Sequence, residues 1–73
     1  MTKYALLYSR LNIETHEQET VVVHYADESP LSAEGHEYIQ APLIEAEQTM
    51  IAQGWRYASS AGPQSILLKR EAE

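Results

Sequence analysis

The sequence predicts an α+β fold in the order β-β-α-β-β, with one helix packed on one face of a four-stranded antiparallel sheet. Runs rich in β-branched and aromatic residues, which are typical of strands, lie towards both ends of the chain. A single helical run lies between them, bounded by Pro42 and Gly54. The polar segments that separate the runs are short, which favours antiparallel pairing of neighbouring strands.

Two strands are predicted before the helix. Residues 3–10, KYALLYSR, carry apolar side chains on both alternating sets, as expected of a strand with two covered faces. Residues 20–25, TVVVHY, are β-branched and aromatic and give the clearest strand pattern in the chain. The polar stretch between these runs predicts a hairpin. Residues 27–35 are predicted to be a connector in which Ser29 and Pro30 start one helical turn.

The helix is predicted from Pro42 to Gln53. Proline suits the first helical position because its missing N–H has no partner there, and Gly54 suits the left-handed position that ends a helix. The residues predicted to share its apolar face are Leu43, Ile44, Ala46, Met50 and Ile51.

Two further strands are predicted after the helix, at residues 55–59 and 64–70. The turn between them is predicted at residues 61–63, Ala-Gly-Pro. Trp55 begins the first of these strands, so its ring is expected to lie against the last turn of the helix.

Length and composition predict one small domain, residues 1–73. A chain of this length buries only about 60% of the surface that its unfolded form exposes. The absence of cysteine excludes disulfides, thiolate metal sites and a cysteine nucleophile. The N-terminal residues have no long apolar stretch, and no run approaches the roughly 20 apolar residues of a membrane helix. We therefore expect a cytoplasmic protein with no membrane partner.

The net charge of −6 is unevenly distributed along the sequence. Nine carboxylates and no lysine or arginine lie between Arg10 and Arg56. Because the cations are not clustered in the sequence, we expect no nucleic-acid partner. The acidic segment is either a solubilising surface or an acidic inhibitor surface that imitates nucleic acid and occupies a basic partner, as in a phage-type regulator. The carboxylates of that second interpretation are Glu14, Glu17, Glu19, Asp27, Glu28, Glu34 and Glu37.

The width of the predicted sheet indicates an interaction surface. Four strands about 4.8 Å apart make a sheet nearly 20 Å wide, whereas one helix is about 10–12 Å across. The face away from the helix would therefore be an uncovered apolar surface, which predicts self-association into a homodimer or higher oligomer, or binding of another protein. The predicted interface residues are Tyr4, Tyr8, Val23, Tyr25 and Leu68. The alternative is that residues 27–39 fold over that face.

The sequence predicts no enzyme, metal site or cofactor. The spacing of His16, His24 and His36 matches neither a helical H-x-x-x-H pattern nor a zinc-finger pattern. No phosphate-binding glycine loop, nucleophile elbow or dinucleotide fingerprint is present. Glu47 falls within the apolar stripe of the helix, where it either reaches water at a rim or is paired. A small-molecule binder or enzyme using Glu47 is the weakest alternative.

The C-terminal half of the chain resembles a known family. Residues 43–70 run through a helix ending in IAQGW, the strand WRYASS, a Gly-Pro turn and the strand SILLKR. This order is similar to that of an uncharacterised family of small bacterial and phage domains with a helix, EGW, a strand, a turn and a basic last strand. The matching residues are Gly54, Trp55, Lys69 and Arg70, and Gln53 replaces the family's glutamate. The resemblance covers less than half of the chain. It implies a compact strand-rich domain and supplies no catalytic residues.

Overall fold

A computed structural model describes residues 2–71, apart from the side chain of Ala61, and these residues form an α+β fold with one helix and one antiparallel sheet. The α+β class with an antiparallel sheet is therefore confirmed. The elements are β1 (Thr2–Leu11), β2 (Gln18–Tyr25), a short 3₁₀ helix (Pro30–Ser32), β3 (Ala33–Ile39), α1 (Leu43–Ala52), β4 (Arg56–Gly62) and β5 (Ser65–Glu71).

The sheet of residues 2–71 has five strands in the order β3-β2-β1-β5-β4, so the predicted four-stranded sheet is wrong. The additional strand is β3, whose first three residues belong to the segment predicted to be a connector. This strand lies at the sheet edge, and its residues up to Tyr38 are exposed. Its sequence, AEGHEYI, therefore has no alternation of apolar and polar residues that would predict a strand. Pairing with β2 decides its conformation, and the sequence of an edge strand carries little of that information.

One side of the sheet carries the hydrophobic core under α1. The helix packs mainly on β1 and β2, the two strands of the predicted hairpin. The core residues are Ala5, Leu7, Val22, Ala46, Met50, Trp55 and Leu68. Ile44 is 69% exposed and Ile51 is 38% exposed, so the predicted apolar face was too wide. The contact stripe of the helix runs along positions 43, 46 and 50, and those two isoleucines lie roughly a third of a turn from its centre.

The helix ends in a Schellman motif at the predicted glycine. Gly54 has a φ of 101°, in the left-handed region that favours glycine. Its N–H donates to the carbonyl of Ile51 at 3.0 Å, and the N–H of Trp55 donates to the carbonyl of Met50 at 3.2 Å. Trp55 and Met50 both belong to the core, which supplies the hydrophobic contact that accompanies this motif. The predicted placement of Trp55 against the last helical turn is confirmed.

Replacement of Gly54 tests the helix ending. We expect Gly54→Ala to lower the free energy of unfolding by about 1–2 kcal/mol, because an L-residue is strained at this φ. The added Cβ meets the nearest atom, Cδ of Arg70, at an ordinary 3.7 Å, so the strain lies in the backbone. Urea denaturation monitored by tryptophan fluorescence measures the effect. The matched control is Gly35→Ala, where a Cβ meets no atom within 4 Å. Equal destabilisation by the two substitutions would contradict the motif.

Candidate functional site

The sheet has a second face, opposite α1, which we call the open face. Side chains alternate between the two faces along a strand. In β1, Ala5 and Leu7 lie in the core, so Tyr4, Leu6 and Tyr8 point to the other side. The register of the neighbouring strands places the remaining members on the same side. The apolar and aromatic residues of the open face are Tyr4, Leu6, Tyr8, Val21, Val23, Tyr25, Tyr38 and Leu67.

One end of the open face is shielded by its own side chains. Tyr8, Val21 and Tyr38 are aligned across three strands. Val21 is only 2% exposed, whereas the flanking Tyr8 and Tyr38 are 37% and 50% exposed. Arg10 lies over the Tyr38 ring, with its guanidinium carbon 5.4 Å from the ring centre, and its Nε is 3.4 Å from Oε1 of Glu19. The long side chains at this end cover the strand beneath them.

The other end of the open face carries a cleft of about 510 Å³. The connector between β2 and β3 borders it, and the Tyr4 hydroxyl donates to Oε1 of Glu28 at 2.9 Å. The lining residues are Tyr4, Leu6, Tyr25, Asp27, Glu28, Pro30 and Leu67. Residues 27–30 thus edge the open face at one end, and residues 33–39 widen the sheet. Leu6 and Leu67, in the middle of the face, also line this cleft, and they are half-buried, as is Val23 beside Leu6.

Four of the five predicted interface residues lie on the open face, and Leu68 does not. Leu68 is opposite Ala5, is fully buried in the core under α1, and was placed on the wrong side by the prediction. Its neighbour Leu67 takes the position on the open face, opposite Leu6. The run Ile-Leu-Leu is apolar at every position, so its sequence does not reveal which residues point to which side. The interface role of Tyr4, Tyr8, Val23 and Tyr25 stays a prediction.

The carboxylates of the predicted acidic surface lie at two ends of the sheet. Glu14 and Glu17 belong to the loop between β1 and β2, and Asp27 and Glu28 belong to the connector beyond the other end of β2. These two groups are separated by the eight residues of β2, a length of roughly 26 Å. The described residues therefore do not gather the acidic set into one continuous surface.

Three other members of that set have close partners. Glu19 is only 7% exposed and pairs with Arg10, so it was wrongly assigned to an exposed surface. The carboxylate of Glu34 is 3.8 Å from the ammonium of Lys3. Oε1 of Glu37 is 3.4 Å from Nε2 of His24.

The fold gathers cations that are far apart in the sequence. Lys3 is opposite Arg70, and Lys69 is opposite Arg56, at one end of the sheet. Lys69 is also opposite Tyr4 and so lies on the open face. Arg70 is on the helix side, where its guanidinium carbon is 4.7 Å from the centre of the Trp55 ring, in cation–π geometry. Sequence analysis missed this cluster because it depends on the pairing of β5 with both β1 and β4.

The histidines and Glu47 form no candidate catalytic or metal centre in the part of the chain that the structure describes. His16 is in the loop between β1 and β2, His24 is on the helix side of β2, and His36 is on the open side of β3. Within residues 2–71 no group of three potential ligands is placed to hold a metal ion. Glu47 is half-buried and does not line the cleft on the open face.

No protein-family model, curated protein or solved structure matches this chain. The resemblance of residues 43–70 to small bacterial and phage domains therefore stays a prediction. None of the helices in residues 2–71 has the length and apolar character needed to cross a membrane.

The contact between Tyr4 and Glu28 gives a testable shift. The hydrogen bond to Glu28 raises the pKa of Tyr4 above its ordinary 10.0, with smaller contributions from desolvation and from the charges of Glu28 and Glu71. Because the pKa is raised on folding, the contact contributes stability below pH 10.0 and loses it as the pH rises through the raised pKa. We expect Glu28→Gln to lower the pKa of Tyr4 in an NMR titration. The control Glu37→Gln should leave it in place, and an unchanged pKa in Glu28→Gln would contradict the contact.

Adjacent leucines test the assignment of faces. We expect Leu68→Ala to lower the free energy of unfolding by about 2–5 kcal/mol, because it leaves a cavity in the core. Leu67→Ala should cost less than half as much, because Leu67 is only half-buried on the open face. Urea denaturation at the lowest protein concentration that gives a signal limits any effect of association. A larger cost for Leu67→Ala would show that the faces are assigned the wrong way round.

Proposed function

We propose that this chain is a small non-enzymatic interaction domain that self-associates or binds a protein partner through the open face. The observation that carries the proposal is the apolar middle of that face, where Leu6, Val23 and Leu67 remain partly exposed on the side away from α1. Five strands about 4.8 Å apart span roughly 24 Å, so one helix could not cover even the side on which it packs. Among residues 2–71, the side away from it is bordered by the connector at one end and shielded by its own tyrosines at the other.

The composition of the open face resembles that of an interface core with a polar rim. Its central row consists of Ser59, Leu67, Leu6, Val23 and His36 in register across the five strands. This row contains no carboxylate, lysine or arginine, and the charged side chains lie beyond it at both ends. Tyrosines flank the row, and tyrosine is enriched at interfaces because it supplies a large contact area with few rotatable bonds.

The size of the face predicts a weak to moderate complex. A face roughly 24 Å wide and about 20 Å long along the strands has an area of about 480 Å². Two such faces bury about 1,000 Å² in total, at the lower end of specific protein interfaces. We therefore expect a dissociation constant in the micromolar range, so the measurement must extend to high protein concentration.

The alternative functions have less support from the described residues. An acidic inhibitor that imitates nucleic acid needs a continuous row of carboxylates, and the acidic residues lie at two ends of β2. An enzyme using Glu47 needs a cavity around that side chain, and Glu47 does not line the cleft on the open face.

A charged residue on the open face tests the proposal. We expect the mass of the wild-type chain to rise above 8.3 kDa with concentration in sedimentation velocity experiments. Tyr8→Lys should hold it at 8.3 kDa, because association would desolvate the introduced ammonium group. The lysine stem can still lie over Val21, so the fold should persist.

The matched control is Tyr57→Lys, which changes a 55% exposed tyrosine on the helix side of β4. It should associate as the wild type does. Circular dichroism checks that both variants are folded. Equal weakening by the two substitutions would contradict a role for the open face.

A further inference from the structure

We infer that the open face is occupied by a second copy of this chain, related by a two-fold axis that runs roughly parallel to the strands above β1. This inference rests on the proposed function and specifies its partner. A two-fold interface requires a surface that is complementary to itself. The placement of charge at one end of the open face meets that requirement.

The strand order defines what such an axis superposes. β1 is the middle strand of five, with β2 and β3 on one side and β5 and β4 on the other. Rotation about an axis above β1 lays the partner's β5 over β2 and the partner's β4 over β3. The rotation leaves strand direction almost unchanged, so the same ends of the two sheets meet. An axis inclined by about 15° to the strands gives the crossing angle of about 30° that is usual for aligned sheets.

The charges at that shared end have opposite signs on the two sides of β1. Lys69 is on the open face of β5, with Arg56 next to it on β4. Asp27 and Glu28 are in the connector beyond β2 and border the cleft. The rotation therefore places the cationic corner of each copy over the acidic connector of the other. This contact forms twice, once on each side of the axis.

Lys69 is available for such a contact. Within residues 2–71 it forms no ion pair. The nearby Glu71, on the same face, accepts a hydrogen bond from the Thr2 hydroxyl. The cleft of the other copy has apolar and aromatic walls from Tyr4 and Leu67 and carboxylates at its rim. That combination suits a lysine side chain, whose methylene stem packs on apolar surface while its ammonium group meets a carboxylate.

A two-fold axis perpendicular to the strands is disfavoured by the same charges. It would reverse the ends, so that the connector with Asp27 and Glu28 would lie over the far end of β2. That end carries Glu19 and leads into the loop that contains Glu17. The connector would then face Arg10, which pairs with Glu19, but Lys69 would lie over the uncharged residues 62–65 at the far ends of β4 and β5. Only the axis parallel to the strands places Lys69 over the acidic connector, and charge complementarity therefore favours that axis.

Charge reversal in two separate chains tests the inference. Lys69→Glu alone creates two repulsive contacts in the dimer, and so does Glu28→Lys alone. We expect the dissociation constant of each variant, measured by sedimentation velocity, to rise about tenfold or more. An equimolar mixture of the two restores both contacts in a heterodimer. We expect its dissociation constant to return to within about threefold of the wild-type value.

The control is Glu14→Lys, which makes the same change of charge as Glu28→Lys but in the loop at the opposite end of the sheet. It should leave the dissociation constant close to that of the wild type. Thermal unfolding at low concentration checks that each variant is folded.

The outcomes separate this inference from the proposed function. If Tyr8→Lys abolishes association but the mixture shows no recovery, the parallel axis is overturned and association through the open face stands. If Lys69→Glu and Glu28→Lys each associate as the wild type does, the charge contact is overturned, and association through the open face again stands. If the wild-type chain stays at 8.3 kDa at every concentration, the inference that a second copy occupies the open face is overturned. The partner of that face would then be a different protein.

Discussion

The structure depends on the contact of one ten-residue helix with one side of a five-stranded sheet. Ala46 is a small residue at the centre of this contact, and its size lets the helix approach β1 and β2 closely. Trp55 extends the covered area beyond the end of the helix, because the Schellman motif directs the chain back towards β4 immediately after Gly54. The guanidinium of Arg70 then covers the ring of Trp55. Helix, tryptophan and arginine together shield the central strands on one side of the sheet.

The opposite side shows what this arrangement leaves uncovered. β1 carries apolar side chains on both of its faces, but the helix packs only on the face of Ala5 and Leu7. On the open face Tyr8 and Tyr38 flank Val21, which is only 2% exposed, while Val23 in the middle of the face is half-buried. Because the apolar surface is on the face, association there buries more of it than pairing of sheet edges would.

The sheet edges are poorly suited to pairing with another strand. β3 carries Glu34 and Glu37 on an exposed edge, and charged side chains discourage strand addition. β4 has two register shifts along its pairing with β5 and begins at Arg56. Irregularities of this kind twist an edge strand and interrupt its pattern of hydrogen bonds. These features make strand addition at either edge less favourable than at a regular, uncharged edge.

Local signals in the sequence were sufficient for part of the fold. Pro42 and Gly54 mark the ends of the helix because their backbone preferences act on one or two residues. The strand β3 could not be predicted, since its side chains are exposed and its conformation comes from pairing with β2. The face of Leu68 could not be predicted either, because three consecutive apolar residues carry no alternation. The cluster of Lys69 with Arg56 required the pairing of β4 with β5.

The most direct test of the central claim is the dependence of methyl chemical shifts on protein concentration. Neighbouring residues with methyl groups lie on opposite faces in all three central strands: Leu6 and Leu7, Val22 and Val23, and Leu67 and Leu68. Association through the open face predicts that dilution shifts the methyl signals of Leu6, Val23 and Leu67 and leaves those of their neighbours in place. Shifts confined to the core residues, or no shift in any of the six across the whole concentration range, would contradict it.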